Sequence, residues 1–114
     1  MTDLTPGVHE FIPTEFLELV QQYDQFSITI GETSFMQIRV PTKWAKVERD
    51  KFGDTYFTCR NKRKRDGHLF VIYGDKFIFD YECRPDRLDG KLKTNLGDCE
   101  FDVSMWKTND KKEE

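Results

Sequence analysis

The chain has 114 residues, a formal net charge of -3, 34% charged and 37% hydrophobic residues, and a mean hydropathy of -0.72. A single domain of this size buries roughly two-thirds of its unfolded surface, so neither disulfides nor a metal are needed to hold it. The longest unbroken apolar run, Leu69 to Tyr73, falls far short of the roughly 20 residues of a membrane-spanning helix, which excludes such a span.

Residues 1–12 contain neither the basic region nor the apolar stretch of a secretory signal, and they read as a flexible arm with Pro6-Gly7. A cytoplasmic, reducing setting is the expectation that follows. Cys59, Cys83 and Cys99 are odd in number and spaced for neither a disulfide framework nor a zinc site, so they read as buried or half-buried free thiols. Residues 13–106 form the expected domain, and 107–114 a disordered polar tail.

Pro13-Thr14-Glu15 marks a helix start, with Thr14 as the cap and Glu15 and Glu18 placed favourably for the helix dipole. Phe16, Val20 and Tyr23, with Leu17 and Leu19, make one apolar stripe, leaving Glu18, Gln21 and Gln22 outside. Phe26, Ile28 and Ile30 then alternate with polar residues, as do Met36, Ile38 and Val40. This predicts a hairpin around Gly31-Glu32-Thr33 with Ile28 opposite Met36 and Phe26 opposite Ile38, ended by Pro41. Thr42 to Lys51 suits a charged edge strand better than a short helix, turning through Asp50 to Asp54 into a strand over Thr55 to Arg60.

His68 to Tyr73 and Lys76 to Tyr81 are β-branched and aromatic, and the Gly74-Asp75 pair between them predicts a central two-residue hairpin. Its register sets Ile72 opposite Phe77, Phe70 opposite Phe79 and His68 opposite Tyr81. Phe70, Ile72, Phe77, Phe79, Tyr81 and Cys83 then share one face. Arg84 to Gly97, with Pro85 and Asp89-Gly90, reads as a long polar loop. Cys99, Phe101, Val103 and Met105 alternate with acidic and polar residues in a last strand. The expected fold is α+β: an N-terminal helix packed on a five- or six-stranded, mostly antiparallel sheet or open barrel. The order of a helix followed by strands resembles that of Sm-like barrels; the likeness is one of element order and implies no function.

Charge is unevenly placed. Residues 1–41 hold one Arg against six acids, residues 42–65 nine Lys and Arg against three acids, and residues 66–114 eight against twelve. The sharpest feature is the basic tract Arg60, Lys62, Arg63, Lys64 and Arg65. It reads as a solvated hairpin tip, or as a surface for phosphate contact with Trp44, Tyr56 or Phe57 stacking on bases, for docking on an acidic protein, or for nuclear import. Asp80, Glu82, Glu100 and Asp102 form an acidic surface that needs an intervening Lys or Arg if their strands are neighbours. The chain carries no nucleophile elbow, no Gly-rich phosphate loop and no histidine pair with metal spacing, and His68 reads as a structural histidine, so no enzyme, cofactor or metal is expected. The expected function is a small non-enzymatic binding protein that occupies a partner protein's surface, of the accessory, regulatory or phage-inhibitor kind. The alternative is a single-stranded nucleic-acid-binding module built on the basic tract and nearby aromatics.

Overall fold

The computed structural model describes residues 6–30, 36–61, 67–97 and 99–108. In chain order they form β1 (Gly7–Phe11), α1 (Pro13–Val20), β2 (Gln25–Ile30), β3 (Met36–Pro41), a 3-10 turn (Thr42–Trp44), β4 (Ala45–Arg49), β5 (Thr55–Arg60), β6 (His68–Tyr73), β7 (Phe77–Arg84), β8 (Arg87–Thr94) and β9 (Phe101–Trp106). All pairings between these strands are antiparallel. A large sheet runs β1-β7-β8-β9-β2-β3, and a small one β4-β5-β6. The fold is therefore mostly antiparallel β with one short helix, in two sheets instead of the one expected, and a strand precedes the helix. Among the described residues no helix is long and apolar enough to cross a membrane.

Side-chain alternation gives each sheet one apolar face, and the two faces meet. The large sheet contributes Phe26, Ile28, Phe77, Phe79, Leu88, Leu92, Val103 and Met105; the small one contributes Ala45, Phe57, Cys59, Phe70 and Ile72, all buried. Phe57 is the meeting point, with ring centroids 5.1 Å from Phe16, 5.9 Å from Phe26, 6.1 Å from Phe70 and 6.2 Å from Phe77. Helix α1 buries Phe16, Leu19 and Val20 and lies against β1, β4 and β5, while Glu18, Gln21 and Gln22 stay exposed. Thr14 is not its cap. Pro13 is already helical, which makes Ile12 the cap residue, and Ile12 N donates to Glu15 Oε1 at 3.1 Å.

The β2–β3 hairpin forms, with Ile28 opposite Ile38 and Phe26 opposite Val40. This is two residues away from the expected register; a shift of two keeps every side chain on its face. The connection at 31–35 lies outside the described residues. β4 and β5 pair as the alternation indicates, through a turn in which Asp50 Oδ1 accepts from Phe52 N (2.9 Å) and Asp54 N (3.0 Å) and Gly53 takes φ +90°.

The central hairpin does not form. β6 pairs with β5 and β7 with β1 and β8, so Ile72 and Phe77, Phe70 and Phe79, and His68 and Tyr81 belong to different sheets. A primed two-residue turn needs positive φ, which the described residues show only at Gly7, Gly53 and Asp86. Gly74 instead turns a corner between the sheets. Asn95 Oδ1 accepts from Asp75 N (2.9 Å) and Lys76 N (3.2 Å), and Asn95 N donates to Lys76 O (3.1 Å). These bonds replace the ones a hairpin turn would have made. The faces nevertheless hold: Phe70, Ile72, Phe77, Phe79 and Tyr81 are buried. Inward alternation is the same whether two strands lie side by side or look at each other across a core.

Two segments taken for coil are strands. Residues 7–11 of the N-terminal arm pair with β7 from Gly7 opposite Tyr81 to Phe11 opposite Phe77, and the His9 ring stacks on Tyr81 at 5.2 Å. The stretch read as a polar loop contains β8, whose turn is at Pro85-Asp86 and whose inward residues are Leu88 and Leu92 with Gly90 between them. At the other end, Thr108 N donates to Asp24 Oδ2 (2.9 Å) and Lys107 N to Asp86 O (2.9 Å).

The thiols differ. Cys59 is buried, and burial pushes its pKa up to about 12; Cys83 is half-buried and also raised by burial; Cys99 lies ahead of β9 and is exposed, not buried as expected. Brief alkylation of the native chain should mark Cys99 and leave Cys59 unmodified until the protein unfolds. Intact-mass and peptide mapping that found Cys59 labelled as fast as Cys99 would place Cys59 outside the core.

Candidate functional site

The outer face of the small sheet gathers most of the chemistry that the core does not use. Cross-strand register aligns Glu48 with Tyr56 and Tyr73, and Lys46 with Thr58 and Val71. By simple alternation His68 would share the inner side with Phe70 and Ile72. A register shift at Cys59/Arg60 re-aims it, so that His68 Nδ1 lies 3.0 Å from Thr58 Oγ1 and Nε2 lies 3.9 Å from Glu48 Oε1. Thr58 Oγ1 spends its proton on Phe70 O, so it accepts from His68 Nδ1–H, which places a proton on that nitrogen.

Glu48 is the hub. Its Oε1 accepts from Tyr56 OH at 2.9 Å and its Oε2 from Arg60 Nη1 at 3.1 Å. Burial works to raise its pKa, but the bonds from Tyr56 and Arg60 and the charges of Arg60 and His68 outweigh it, so the carboxyl sits below its usual range. The bond to Glu48, followed by burial, raises the Tyr56 hydroxyl in turn. Next to this network runs an apolar row, Leu69, Val71 and Tyr73, respectively 37%, 41% and 40% exposed, and Tyr73 OH donates to Asp50 Oδ2 at 3.1 Å. Lys46 is exposed beside Glu48 on β4, and Arg60 stands two strand positions from it on the same face. Such a surface offers an apolar centre with a fixed polar network and a basic margin. Its strongest nucleophile and base candidates are already engaged, and the described residues contain no grouping of three His, Cys, Asp or Glu side chains fit for a metal ion.

The structure brings Tyr56 and Arg60 together on this face. Trp44 sits in the 3-10 turn, half-buried against the core. Lys62, Arg63, Lys64 and Arg65 lie outside the described residues. The acidic residues are on the large sheet, where β8 separates β7 from β9. Lys91 pairs with Asp102 at 3.5 Å, Lys93 with Glu100 at 3.7 Å and Arg84 with Glu82 at 3.5 Å, while Asp80 stands opposite Lys91. β8 thus supplies the lysines that keep these carboxylates apart. Exposed pairs of this kind contribute at most about 1 kcal/mol each.

Sequence reasoning missed Glu48 as an organiser and Val71 and Tyr73 as surface. It also missed a polar cluster on the outer face of the large sheet. There the Arg39 and Arg87 guanidinium groups lie 5.0 and 5.3 Å from the Trp106 ring centroid, and Asp89 accepts from Arg87 Nε (2.9 Å) and Ser104 Oγ (2.6 Å). Trp106 was legible as the next outward position after Met105 in β9. No family model matches this chain, and no curated protein or solved structure matches it either.

Proposed function

We propose that the chain is a non-enzymatic binding protein that occupies the surface of a partner protein, as accessory, regulatory or inhibitor proteins do, and that it docks through the outer face of β4-β5-β6. The observation that carries this reading is the exposed row Leu69, Val71 and Tyr73 beside Tyr56, with Lys46 and Arg60 alongside. An apolar centre rich in tyrosine with a charged rim is the usual anatomy of a protein interface. Glu48 holds Tyr56 and Arg60 in one pose before any partner arrives, which lowers the ordering cost of docking. The basic excess of residues 42–65 favours an acidic patch on the partner and speeds encounter with it.

Affinity capture from cells, with and without nuclease, tests this. A protein partner should survive nuclease treatment, and Tyr56→Ala combined with Lys46→Glu should weaken its retention by about tenfold or more. The rival, a single-stranded nucleic-acid module, predicts otherwise: binding of an oligonucleotide falling about a hundredfold between 50 and 200 mM salt, with that slope flattened when Arg63, Lys64 and Arg65 become Ser. That second outcome would replace the protein-docking reading.

A further inference from the structure

The outer face of the large sheet carries a row with long side chains at its ends and short ones in its middle. Cross-strand register runs Arg39 of β3, Ser27 of β2, Ser104 of β9 and Asp89 of β8. The two serines leave a dip, and Trp106, the next outward residue of β9, walls it. The result is a concavity of about 280 Å³ lined by Ser27, Gln37, Arg39, Arg87, Ser104 and Trp106. No carboxylate is among the described residues that line it.

Its donors are positioned but not used up. The Trp106 ring holds the Arg39 guanidinium, 5.0 Å from its centroid. Ion pairs among the described residues engage Arg60, Arg84, Arg87, Lys91 and Lys93 on carboxylates, and Arg39 is in none of them. Arg87 donates to both oxygens of Asp89 through Nε alone, at 3.1 and 2.9 Å, which leaves its two terminal nitrogens for another acceptor. Ser27 Oγ accepts from Gln37 Nε2 at 3.1 Å, so its own proton remains to be given. Asp89, the carboxylate of this row, is taken up by Arg87, by Ser104 Oγ at 2.6 Å and by Arg84 Nη1 at 3.4 Å. Arg39 and Arg87 against Asp89 leave the site one net positive charge.

We propose that this concavity binds a small monocarboxylate, which Arg39 takes through two parallel N–H groups of its guanidinium. A planar anion with two oxygens matches that fork, and a fork steadied by an aromatic ring loses little freedom on pairing. The charge points the same way: one negative charge neutralises the site, whereas a doubly charged phosphate would leave it negative. Size and lining narrow the class further. Pockets for drug-sized ligands run to about 300–1,000 Å³, so this one suits a compact acid, and its two serines and Gln37 favour one that carries a hydroxyl. The inference goes beyond the docking reading: the site is on the other sheet and shares no residue with the outer face of β4-β5-β6.

A titration of the isotope-labelled full chain by nuclear magnetic resonance tests this, with acetate, lactate and inorganic phosphate each exchanged for chloride at fixed ionic strength. Both carboxylates should shift the Trp106 indole N–H and the Arg39 side-chain N–H saturably, with a Kd on the order of 1–10 mM and lactate the tighter. Arg39→Gln should weaken binding by about tenfold or more, and Arg39→Lys, which keeps the charge but loses the fork, by nearly as much. Arg39 is exposed, so both variants should unfold at the wild-type temperature. The absence of a saturable shift up to about 100 mM overturns the proposal. So does binding that survives in Arg39→Gln, an Arg39→Lys variant that binds like the wild type, or phosphate that binds as tightly as the carboxylates. Tyr56→Ala with Lys46→Glu should leave the titration unchanged, so loss of partner capture and loss of this site are read separately.

Discussion

Phe57→Ala should lower the free energy of unfolding by about 3–5 kcal/mol. The side chain is wholly buried, and its ring touches Phe16 of α1, Phe26 of β2, Phe70 of β6 and Phe77 of β7. The space left behind would be walled by rings fixed in the helix and both sheets, so no single side chain can move in to fill it. Domains are typically stable by only about 5–15 kcal/mol, and the loss would therefore be a large share of the total. Urea unfolding should show a much lower midpoint at an unchanged slope, the sign of one cooperative unit losing stability. A loss under about 1 kcal/mol would mean that the two sheets do not share a core at this residue.

Gly90→Ala should also destabilise, by about 1–3 kcal/mol, although replacing a strand glycine by alanine ordinarily gains up to about 1 kcal/mol. An added Cβ would stand 2.5 Å from Asp80 O and 2.7 Å from Tyr81 Cβ, so the β7–β8 ladder itself would have to open. Backbone conformation is not the cause, because positive φ among the described residues is confined to Gly7, Gly53 and Asp86. Gly97→Ala is the control: nothing lies within 4 Å of its Cβ position, and its effect should stay within about 0.5 kcal/mol. Equal thermal shifts for the two variants would show that β7 does not press on Gly90.

Gly90 also shows where the sequence misleads. Asp89-Gly90 carries the local signature of a turn, and its pairing with Tyr81 and Val103 on the two neighbouring strands makes the same glycine a strand residue. Gly74-Asp75 fails for a related reason: the side chain that settles its geometry, Asn95, comes some twenty residues later and has no local trace. What survives is whatever alternation alone decides. Phe26, Ile28, Phe70, Ile72, Phe77, Phe79, Val103 and Met105 were all legible as inward, and all are buried. β1 was illegible because an edge strand with half-buried residues has no strong pattern. On the candidate face, Tyr56 and Arg60 were visible as an aromatic and a cation on one strand. Glu48 and His68 were not, because a register shift brings them together and a shift leaves no mark in composition.

The order of strands in the large sheet sets the order in which the molecule can be completed. β4, β5 and β6 are consecutive in sequence and, among the described residues, pair only with one another, so the small sheet has all its parts once Tyr73 has left the ribosome. The large sheet does not. β2 lies between β3 and β9, with Phe26 opposite Met105, and β1 waits for β7. Closing contacts between chain ends costs more entropy than closing a local hairpin, and topologies rich in such contacts fold slowly. Until Trp106 emerges, Phe57 and Phe70 face a six-stranded layer that still lacks β9, and the nascent chain carries an uncovered apolar face for that interval.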